Sequence, residues 1–299
     1  MKILLLGKNG QVGWELQRSL MPLGEVIALN RSQCDLSHPE VIPAIVQNIK
    51  PDVIVNAAAY TAVDKAEDDE ALANIINAIS VGVLAEEAKK LNALFVHYST
   101  DYVFDGTKES PYTEDDAPNP INAYGRTKLS GEKAIIQSNC DYLILRTTWV
   151  YAARGSNFLK TMLRLVQERE ELSIVADQHG VPTWARNIAD ATVHIISAVQ
   201  RERQVSHFAS NIFHLSASGK TTWYGFAGAI IKQVRQLVLP ENIKTERVLP
   251  IATKEYPLPA TRPKNSQIDS SSLEGRFGIV LPEWHDAMEL CLNELLEAQ

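Results

Sequence analysis

Two short motifs of the sequence contain residues whose types and spacing suit one kind of chemistry. Gly7, Gly10 and Gly13 follow the first apolar run, and Tyr124 precedes Lys128 by four positions. Glycines between a strand and a helix let the backbone approach a pyrophosphate, which the positive end of the helix dipole then favours. The ammonium group of Lys128 is expected to lower the pKa of the Tyr124 phenol, which makes the phenol an acid–base group for a carbonyl. Together the motifs predict a nicotinamide cofactor and a carbonyl substrate.

Each motif alone has a simpler interpretation. Glycines are common in ordinary strand–turn–helix connections, and a lysine four residues after a tyrosine also occurs by chance. Their order in the chain favours the chemical interpretation, because the glycines follow a predicted first strand, as the mechanism requires.

Residues after the second apolar run bear on the choice of cofactor. Asn30 and Arg31 stand where many dehydrogenases have a carboxylate that binds the adenosine ribose. Asn30 would not repel a 2′-phosphate and Arg31 can pair with one, so we expect NADPH to be accepted, with NADH as the alternative. Asp35 and Leu36 are expected beside the adenine. A solvated loop charge is the other interpretation of Arg31.

Thr100, at the end of the predicted fourth strand, is the third candidate for chemistry. Its hydroxyl would hydrogen-bond the substrate oxygen that gains charge during reduction. Ser99 is the rival for this role, because neighbouring strand residues point to opposite faces. The residues themselves leave this choice open.

These side chains must be positioned by alternating strands and helices. Strands are predicted at residues 3–6, 26–29, 53–56, 94–98 and 142–146, and helices between them at 11–20, 41–49, 75–91 and 123–138. Such alternation is typical of a parallel sheet covered by helices. We therefore predict an α/β fold, a Rossmann-like doubly wound parallel sheet with a smaller C-terminal substrate lobe.

The second half of the chain is less regular. Helices are predicted at 158–168, 187–199, 223–237 and 284–296, and one strand at 213–215. Residues 250–265 are rich in proline and cannot form a regular helix or a central strand. The predicted dinucleotide-binding domain spans 1–148, with 188–216 returning to it, and the substrate lobe comprises 149–187 and 217–299.

Composition and charge argue against several classes of protein. A net charge of −7 argues against a general nucleic-acid binder. Cys34, Cys140 and Cys291 include no CxxC pair, which indicates reduced thiols. Because the opening apolar run is short, we expect no leader sequence, and we expect no apolar run of membrane-spanning length. The predicted location is cytoplasmic, without nucleic-acid or membrane partners.

Longer blocks of the sequence resemble a known family. Residues 56–67, 99–104, 124–132 and 146–151, and then 157–158, 180–183 and 262–266, are similar to the dTDP-4-dehydrorhamnose reductases of the extended short-chain dehydrogenase/reductase family. The resemblance covers essentially the whole chain. It implies NAD(P)H-dependent reduction of the C4 ketone of dTDP-4-dehydro-β-L-rhamnose to dTDP-L-rhamnose, the last step of that synthesis, by a monomer or homodimer.

The resemblance also implies roles for individual residues. It favours Thr100 over Ser99 and makes Thr100, Tyr124 and Lys128 catalytic, with sugar contacts at Thr100, Asp101 and Trp149. The cofactor contacts that it implies are Gly10, Gln11, Val12, Asp35, Leu36, Ala57, Ala58, Ala59, Tyr124 and Lys128. Without the resemblance, Trp149 would be interpreted as a core aromatic residue.

Arg262 is a separate candidate for the diphosphate or thymine end of the substrate. An acidic protein must place a cation there, although a surface arginine in a Pro-rich loop is an equal alternative. The histidines show no metal-ligand spacing, and His97 is expected to be a hydrogen-bonded core residue. No metal site is predicted, and no constellation requires Mg²⁺.

Other functions share these residues. Sugar-nucleotide epimerases and dehydratases have both motifs, but dehydratases need an extra acid–base pair, which in similar sequences is an Asp-Glu dipeptide after the strand-end threonine. Here Asp101 is followed by Tyr102, which argues against dehydration. A reductase of another nucleotide-linked 4-keto sugar fits the same residues. A non-catalytic regulatory homologue would not need Thr100, Tyr124 and Lys128 together, so their joint presence favours an enzyme.

Overall fold

A six-stranded parallel sheet forms the centre of the computed structural model, which describes residues 1–237 and 242–297. The strands are β1 (Lys2–Leu6), β2 (Glu25–Leu29), β3 (Val53–Asn56), β4 (Leu94–Thr100), β5 (Tyr142–Thr147), β6 (Val150–Tyr151), β7 (Glu171–Val175), β8 (His179–Gly180), β9 (Thr183–Trp184), β10 (Asn211–His214), β11 (Thr221–Thr222) and β12 (Arg247–Ile251). The order in the central sheet is β2-β1-β3-β4-β5-β10. This order confirms the predicted Rossmann-like parallel sheet.

Helices cover both faces of that sheet. They are α1 (Gln11–Ser19), α2 (Ile42–Ile49), α3 (Val63–Asp68), α4 (Glu70–Asn74), α5 (Ser80–Lys90), α6 (Ala123–Ser138), α7 (Phe158–Glu168), α8 (Ala185–Gln204), α9 (Trp223–Leu237), α10 (Ser271–Phe277) and α11 (Trp284–Glu297). Apolar residues of α1 and α8 pack on one face, and those of α2, α5 and α6 on the other. The central strands are therefore continuous apolar runs, because both faces are buried.

Residues 150–297 also contribute a third apolar cluster, formed largely by α7, α9 and α11. Beside it, β7 pairs with β12 in a separate two-stranded sheet. Pro250 lies in β12, outside the central sheet, in agreement with the sequence-based exclusion of a central strand there. The sequence analysis missed β7, β12 and α10, and Leu273 of α10 packs on the central sheet. The limits of the two domains stay a prediction.

One helical run contradicts the expectation that no apolar segment reaches membrane-spanning length. Glu70–Lys90 has 21 residues and a mean hydropathy of 1.3 in its most apolar window, so by length and composition it qualifies. However, 56% of that window is buried inside the fold. The segment is apolar because it packs between the sheet and α6.

Helix α6 carries Tyr124 and Lys128, and a glycine lets it approach the neighbouring helices closely. A π-helical turn, Ile75–Ile79, connects α4 to α5. A Cβ atom at Gly131 would collide with the carbonyl oxygen of Asn77 in this turn. The Asn77 side chain also binds Tyr60 and donates to Oγ1 of Thr127 at 3.1 Å. Gly131 thus determines how closely α6 can approach the Ile75–Ile79 turn.

The substitution Gly131→Ala should lower the free energy of unfolding by about 1–3 kcal/mol, because the added methyl group meets backbone that must shift. Gly228→Ala in α9 is the matched control, since nothing lies within 4 Å of its added Cβ atom. The control should raise stability by about 0.5–1 kcal/mol, as alanine favours helix. Urea unfolding measures both, and equal effects would contradict the close contact at Gly131.

Candidate active site

The glycine-rich turn lies between β1 and α1, at the carboxyl end of the sheet. Gly7 has a φ of 81°, and a Cβ atom there would lie 2.7 Å from the backbone nitrogen of Ala58. A Cβ atom at Gly13 would collide with the carbonyl oxygen of Gly7. At the N-cap, Gly10 brings no side chain to bind the first N–H groups of α1. These N–H groups can therefore bind an anion.

A cleft of about 560 Å³ opens beside this turn. Most of the predicted cofactor residues line it, namely Gly7, Gly10, Gln11, Val12, Asn30, Arg31, Asp35, Leu36, Ala57, Ala58, Ala59, Tyr124 and Lys128. Gly13 lies beneath the turn instead of lining the cleft. Thr100, Asp101, Trp149 and Arg262 do not line it. The predicted dinucleotide and acid–base residues thus share one cleft.

Two buried hydroxyl groups in this cleft test whether a polar ligand fits it. Oγ of Ser99 and Oγ1 of Thr147 are buried and have no hydrogen-bond partner among the described residues. An unpaired buried hydroxyl is costly, and a polar ligand in the cleft would pair with it. The glycine cradle, the free N–H groups of α1 and these hydroxyls together fit a dinucleotide.

The sequence analysis missed several residues of the cleft. They are Asn9, Cys34, Tyr60, Thr61, Ile76, Tyr98, Thr147, Val150, Gly155 and Ser156, while Ser99 was considered only as a rival of Thr100. Gly155 and Ser156 belong to a loop held to the glycine turn through Gln11, whose Oε1 accepts from Nδ2 of Asn157 at 2.8 Å. No local signal predicts such a long-range contact.

Arg31 and Asp35 form an ion pair at the ribose end of the cleft. Nε of Arg31 lies 3.1 Å from Oδ2 of Asp35, and the arginine side chain is 74% exposed. Although burial acts to raise it, the pKa of Asp35 falls to about 2 because Ser37 and Arg31 donate hydrogen bonds to the carboxylate. An exposed pair of this kind is weak, so Arg31 is free to turn toward a phosphate.

The substitution Arg31→Ala should weaken NADPH binding about tenfold, because it removes the cation expected to pair with the 2′-phosphate. NADH binding should change much less. Isothermal titration of both cofactors measures this, with the exposed Arg169→Ala as a control for loss of a surface charge. Equal weakening of both cofactors would remove Arg31 from the 2′-phosphate site.

Capping interactions determine where α6 begins and so where Tyr124 and Lys128 lie. The Asn122 side chain accepts from the Gly125 N–H at 2.8 Å. The Ala123 N–H donates to Glu67 Oε1, also at 2.8 Å. The four-residue spacing then places Tyr124 and Lys128 on one helix face, and both reach the cleft.

The ionisation of Tyr124 differs from the sequence-based expectation. Burial and the negative charge of Asp101 raise the pKa of the Tyr124 phenol, while the Thr100 hydroxyl acts in the opposite direction. Lys128 was expected to lower this pKa. Its Nζ instead donates to the carbonyl oxygen of Tyr98 at 2.6 Å and contacts Nε2 of His97 at 3.0 Å.

Thr100 and Ser99 are placed differently, as the alternation along β4 predicts. Oγ1 of Thr100 donates to Oδ1 of Asp101 at 2.8 Å and accepts from the Tyr102 N–H. The hydroxyl proton of Thr100 is therefore held by Asp101, whereas the Ser99 hydroxyl is unpaired in the cleft. The catalytic role of Thr100 stays a prediction, and Ser99 supplies a separate donor that faces the cofactor cleft.

Asp101 is a buried carboxyl group with a perturbed ionisation. Its Oδ2 accepts from Thr148 at 3.1 Å, and its side chain also bonds Ser266. Burial outweighs these hydrogen bonds and raises the pKa of Asp101 to about 6. The folded protein therefore binds a proton here that the unfolded chain releases near pH 4.

Folding stability should reflect this proton. The contribution of protonated Asp101 is fully present below about pH 4, the unfolded pKa, and is lost as the pH rises through about 6. Asp101→Asn removes this dependence, so the variant should gain about 2–3 kcal/mol relative to the parent between pH 4 and pH 7. Urea unfolding at both pH values measures it, with the exposed Asp115→Asn as control. A constant difference would contradict the raised pKa.

A second cleft, of about 530 Å³, contains the remaining candidate. Phe158, Trp223, Tyr256 and Arg262 are among the residues that line it. Arg262 is not a solvated surface arginine, because its side chain is only 18% exposed and binds both carboxylate oxygens of Asp64, at 2.6 and 2.9 Å. This pairing lowers the pKa of Asp64.

The two clefts are adjacent. Asn122, the cap of α6, donates through Nδ2 to the carbonyl oxygen of Thr261 at 2.9 Å. Thr261 lines the second cleft, and Tyr124, two residues after Asn122, lines the first. A ligand that extends across this junction would reach both clefts.

Trp149 lies behind the second cleft and does not line it. Its ring stacks on Trp223 with 3.6 Å between centroids and 9° between planes. The residue has a φ of 41°, a left-handed conformation that is rare for a bulky side chain. The same ring fills the space that a Cβ atom at Gly180 would need. The predicted sugar contact of Trp149 stays a prediction.

Known proteins resemble this chain over nearly all of its length. The family model described as the RmlD substrate binding domain matches residues 1–297. The chain is 55% identical over 296 residues to the dTDP-4-dehydrorhamnose reductase of Burkholderia thailandensis, with 99% of each chain covered. It is 47% identical over 299 residues to the reductase of the same name from Escherichia coli, with 99% of this chain and 98% of the relative covered.

Solved structures give the same result. A dTDP-4-dehydrorhamnose reductase from Clostridium acetobutylicum superimposes with a TM-score of 0.89 at 38% identity, covering 99% of each chain. The dTDP-4-dehydrorhamnose reductase of Bacillus anthracis, solved in complex with NADP, superimposes with a TM-score of 0.86 at 34% identity, covering 98% of this chain and 99% of that one.

Proposed function

The chain belongs to the RmlD substrate binding domain family, and we propose from this premise that it is an NAD(P)H-dependent dTDP-4-dehydrorhamnose reductase. It reduces the C4 ketone of dTDP-4-dehydro-β-L-rhamnose to give dTDP-L-rhamnose. The observation that carries the proposal is the cleft in which Tyr124 and Lys128 lie beside the glycine turn. The choice of substrate is supported by relatives named dTDP-4-dehydrorhamnose reductase that match this chain over nearly their whole length.

The glycine turn and the first N–H groups of α1 hold the cofactor pyrophosphate. The unpaired hydroxyls of Ser99 and Thr147 would hydrogen-bond a cofactor bound beside Tyr124. When bound, the nicotinamide supplies a hydride to the sugar ketone. The chain contributes binding, orientation and the proton.

Tyr124 donates that proton to the oxygen at C4. Burial and Asp101 raise the pKa of its phenol, so Tyr124 carries its proton at neutral pH and can donate it to the alkoxide that hydride transfer creates. A positive charge on Lys128 would stabilise the phenolate that remains. Thr100, held by Asp101, orients the ketone.

The second cleft holds the nucleotide end of the substrate. Trp223 and Tyr256 offer aromatic faces to a base, and Arg262 offers a cation to the diphosphate. Its ion pair with Asp64 keeps the guanidinium in place before the substrate arrives. The partner is thus a sugar nucleotide in the cytoplasm, with no nucleic acid or membrane partner for an acidic chain of net charge −7.

Absorbance at the dihydronicotinamide band tests the proposal. Purified protein is mixed with NADPH, or separately NADH, and dTDP-4-dehydrorhamnose generated in situ by the upstream enzymes. Oxidation that requires the sugar nucleotide supports the reductase and ranks the two cofactors. If folded protein binds cofactor but oxidises none, another 4-keto sugar or a regulatory role is indicated.

The substitution Tyr124→Phe should lower kcat by about 10²–10⁴-fold, since it removes the proton donor. The dissociation constant for NADPH should change by about twofold or less, because the ring remains in the cleft. Tyr142→Phe, at the start of β5, controls for loss of a phenol elsewhere. Near-normal turnover in Tyr124→Phe would refute the assignment of Tyr124 as the acid.

A further inference from the structure

The amine of Lys128 ends a line of buried polar side chains that the mechanism above does not use. His97 is fully buried in β4 and lies directly opposite Asn56 of β3. Nδ1 of His97 is 3.1 Å from Nδ2 of Asn56, and its Nε2 is 3.0 Å from Nζ of Lys128. We refer to these three residues as the Asn56–His97–Lys128 chain.

A backbone group fixes the direction of hydrogen bonding in this chain. The Ala58 N–H donates to Oδ1 of Asn56 at 3.1 Å. Nδ2 of Asn56, which carries hydrogens, must then face Nδ1 of His97. Nδ1 can only accept, and a neutral imidazole that accepts at Nδ1 carries its hydrogen at Nε2. His97 is neutral, because burial, the largest cause, holds its pKa well below the usual value.

The hydrogen on Nε2 is directed at Lys128. An ammonium group has three donors and no acceptor, so it would oppose the Nε2–H. An uncharged amine accepts from Nε2–H and still donates to the carbonyl oxygen of Tyr98. The Asn56–His97–Lys128 chain therefore favours the uncharged form of the Lys128 amine. Burial acts in the same direction and lowers the pKa of Lys128 to about 8.

The other charged and titratable groups around Lys128 do not cancel this effect. Glu132, one turn further along α6, raises the pKa of Lys128, but Arg146 of β5 binds both of its oxygens at 2.7 and 2.9 Å. The phenol of Tyr98 is bound to Thr192 at 2.7 Å.

On the cleft side, the groups near Lys128 are Tyr124 and, beyond it, Asp101. Burial raises the pKa of both. In the part of the chain that the structure describes, no carboxylate forms an ion pair with Lys128. The amine is therefore held by His97 and a backbone carbonyl.

We propose that His97 is a positioning residue for Lys128, and that Asn56 and His97 together decide when Lys128 carries its charge. In the arrangement described, the imidazole hydrogen is on Nε2, which favours the uncharged amine over the ammonium. Charging the amine requires the hydrogen to move to Nδ1 and the Asn56 amide to turn over. The inference rests on the proposed function only in that a charged Lys128 assists Tyr124.

The position of the imidazole hydrogen can be measured directly. Long-range ¹H–¹⁵N correlation spectra of the protein without added cofactor distinguish the two neutral tautomers. Among the seven histidines, the signals of His97 are those lost in His97→Gln or shifted in Asn56→Asp, so either variant that folds assigns them. We expect hydrogen on Nε2 and none on Nδ1. Hydrogen on Nδ1, or on both nitrogens, would overturn the proposal.

Asn56→Asp tests the link to Lys128. A carboxylate accepts from both the Ala58 N–H and Nδ1–H of His97, so the hydrogen moves to Nδ1 and Nε2 becomes an acceptor for an ammonium. The pKa of Lys128, followed by the chemical shift of its Cε atom and assigned with Lys128→Met, should rise by about one unit or more. The alkaline limb of kcat/KM for NADPH should move upward by the same amount.

His214→Gln is the matched control, because His214 is also fully buried in a strand of the central sheet. Its Nδ1 faces the carbonyl oxygen of Tyr112 and not Lys128. The control should leave the titration of Lys128 unchanged. If Asn56→Asp does not fold, His97→Gln takes its place, since its amide oxygen can accept from the ammonium and should also raise the pKa.

Either of two results would overturn the link to Lys128. One is a moved tautomer with an unmoved titration of Lys128, and the other is an equal movement in His214→Gln. Both spectroscopic measurements need no turnover. A failure of the proposed function would therefore leave them interpretable, and a failure of this inference would leave the proposed function intact.

Discussion

The close approach of two backbone segments at the carboxyl edge of the sheet constrains the rest of this structure. Gly7, directly after β1, packs against Ala57 and Ala58, directly after β3, with no room for a side chain between them. The strand order reverses between β1 and β3, so the connections that follow these two strands lead in opposite directions. Between them they leave the crevice in which α/β proteins bind ligands. The cleft, the free end of α1 and the path of the 152–157 loop all follow from this contact.

Behind the cleft, the structure places charged groups in an apolar interior and stabilises each in a different way. Glu132 and Arg146 neutralise one another. Asp101 keeps hydroxyl donors but holds its proton to a higher pH than usual. Among the described residues, Lys128 forms no ion pair and is held by a neutral histidine and a backbone carbonyl. Breaking the Glu132–Arg146 pair would leave a buried charge without a partner, which costs several kcal/mol, so the interior behind the cleft and the stability of α6 are linked.

The sequence predicted the features that local chemistry determines. The glycine spacing, the paired Tyr124 and Lys128 and the apolar strands are signals within a few residues, and the central sheet and its helices follow them. Contacts between distant segments were not predictable. His97 was correctly expected in the core, yet its contact with Lys128 depends on how α6 crosses β4. Gly155 and the short strands β7 and β12 carry no periodic pattern, because tertiary packing alone orders them.

The stacked indole ring of Trp149 also explains why position 180 is a glycine. Gly180 has no positive φ and lies in no tight turn, so its backbone does not require glycine. The indole, which lies where a Cβ atom would be, excludes larger residues. Substitutions at positions 149 and 180 are therefore expected to be coupled in evolution. A lineage that replaced the tryptophan by a small residue would free position 180 to vary, whereas a lineage that first acquired a side chain there would lose the stack.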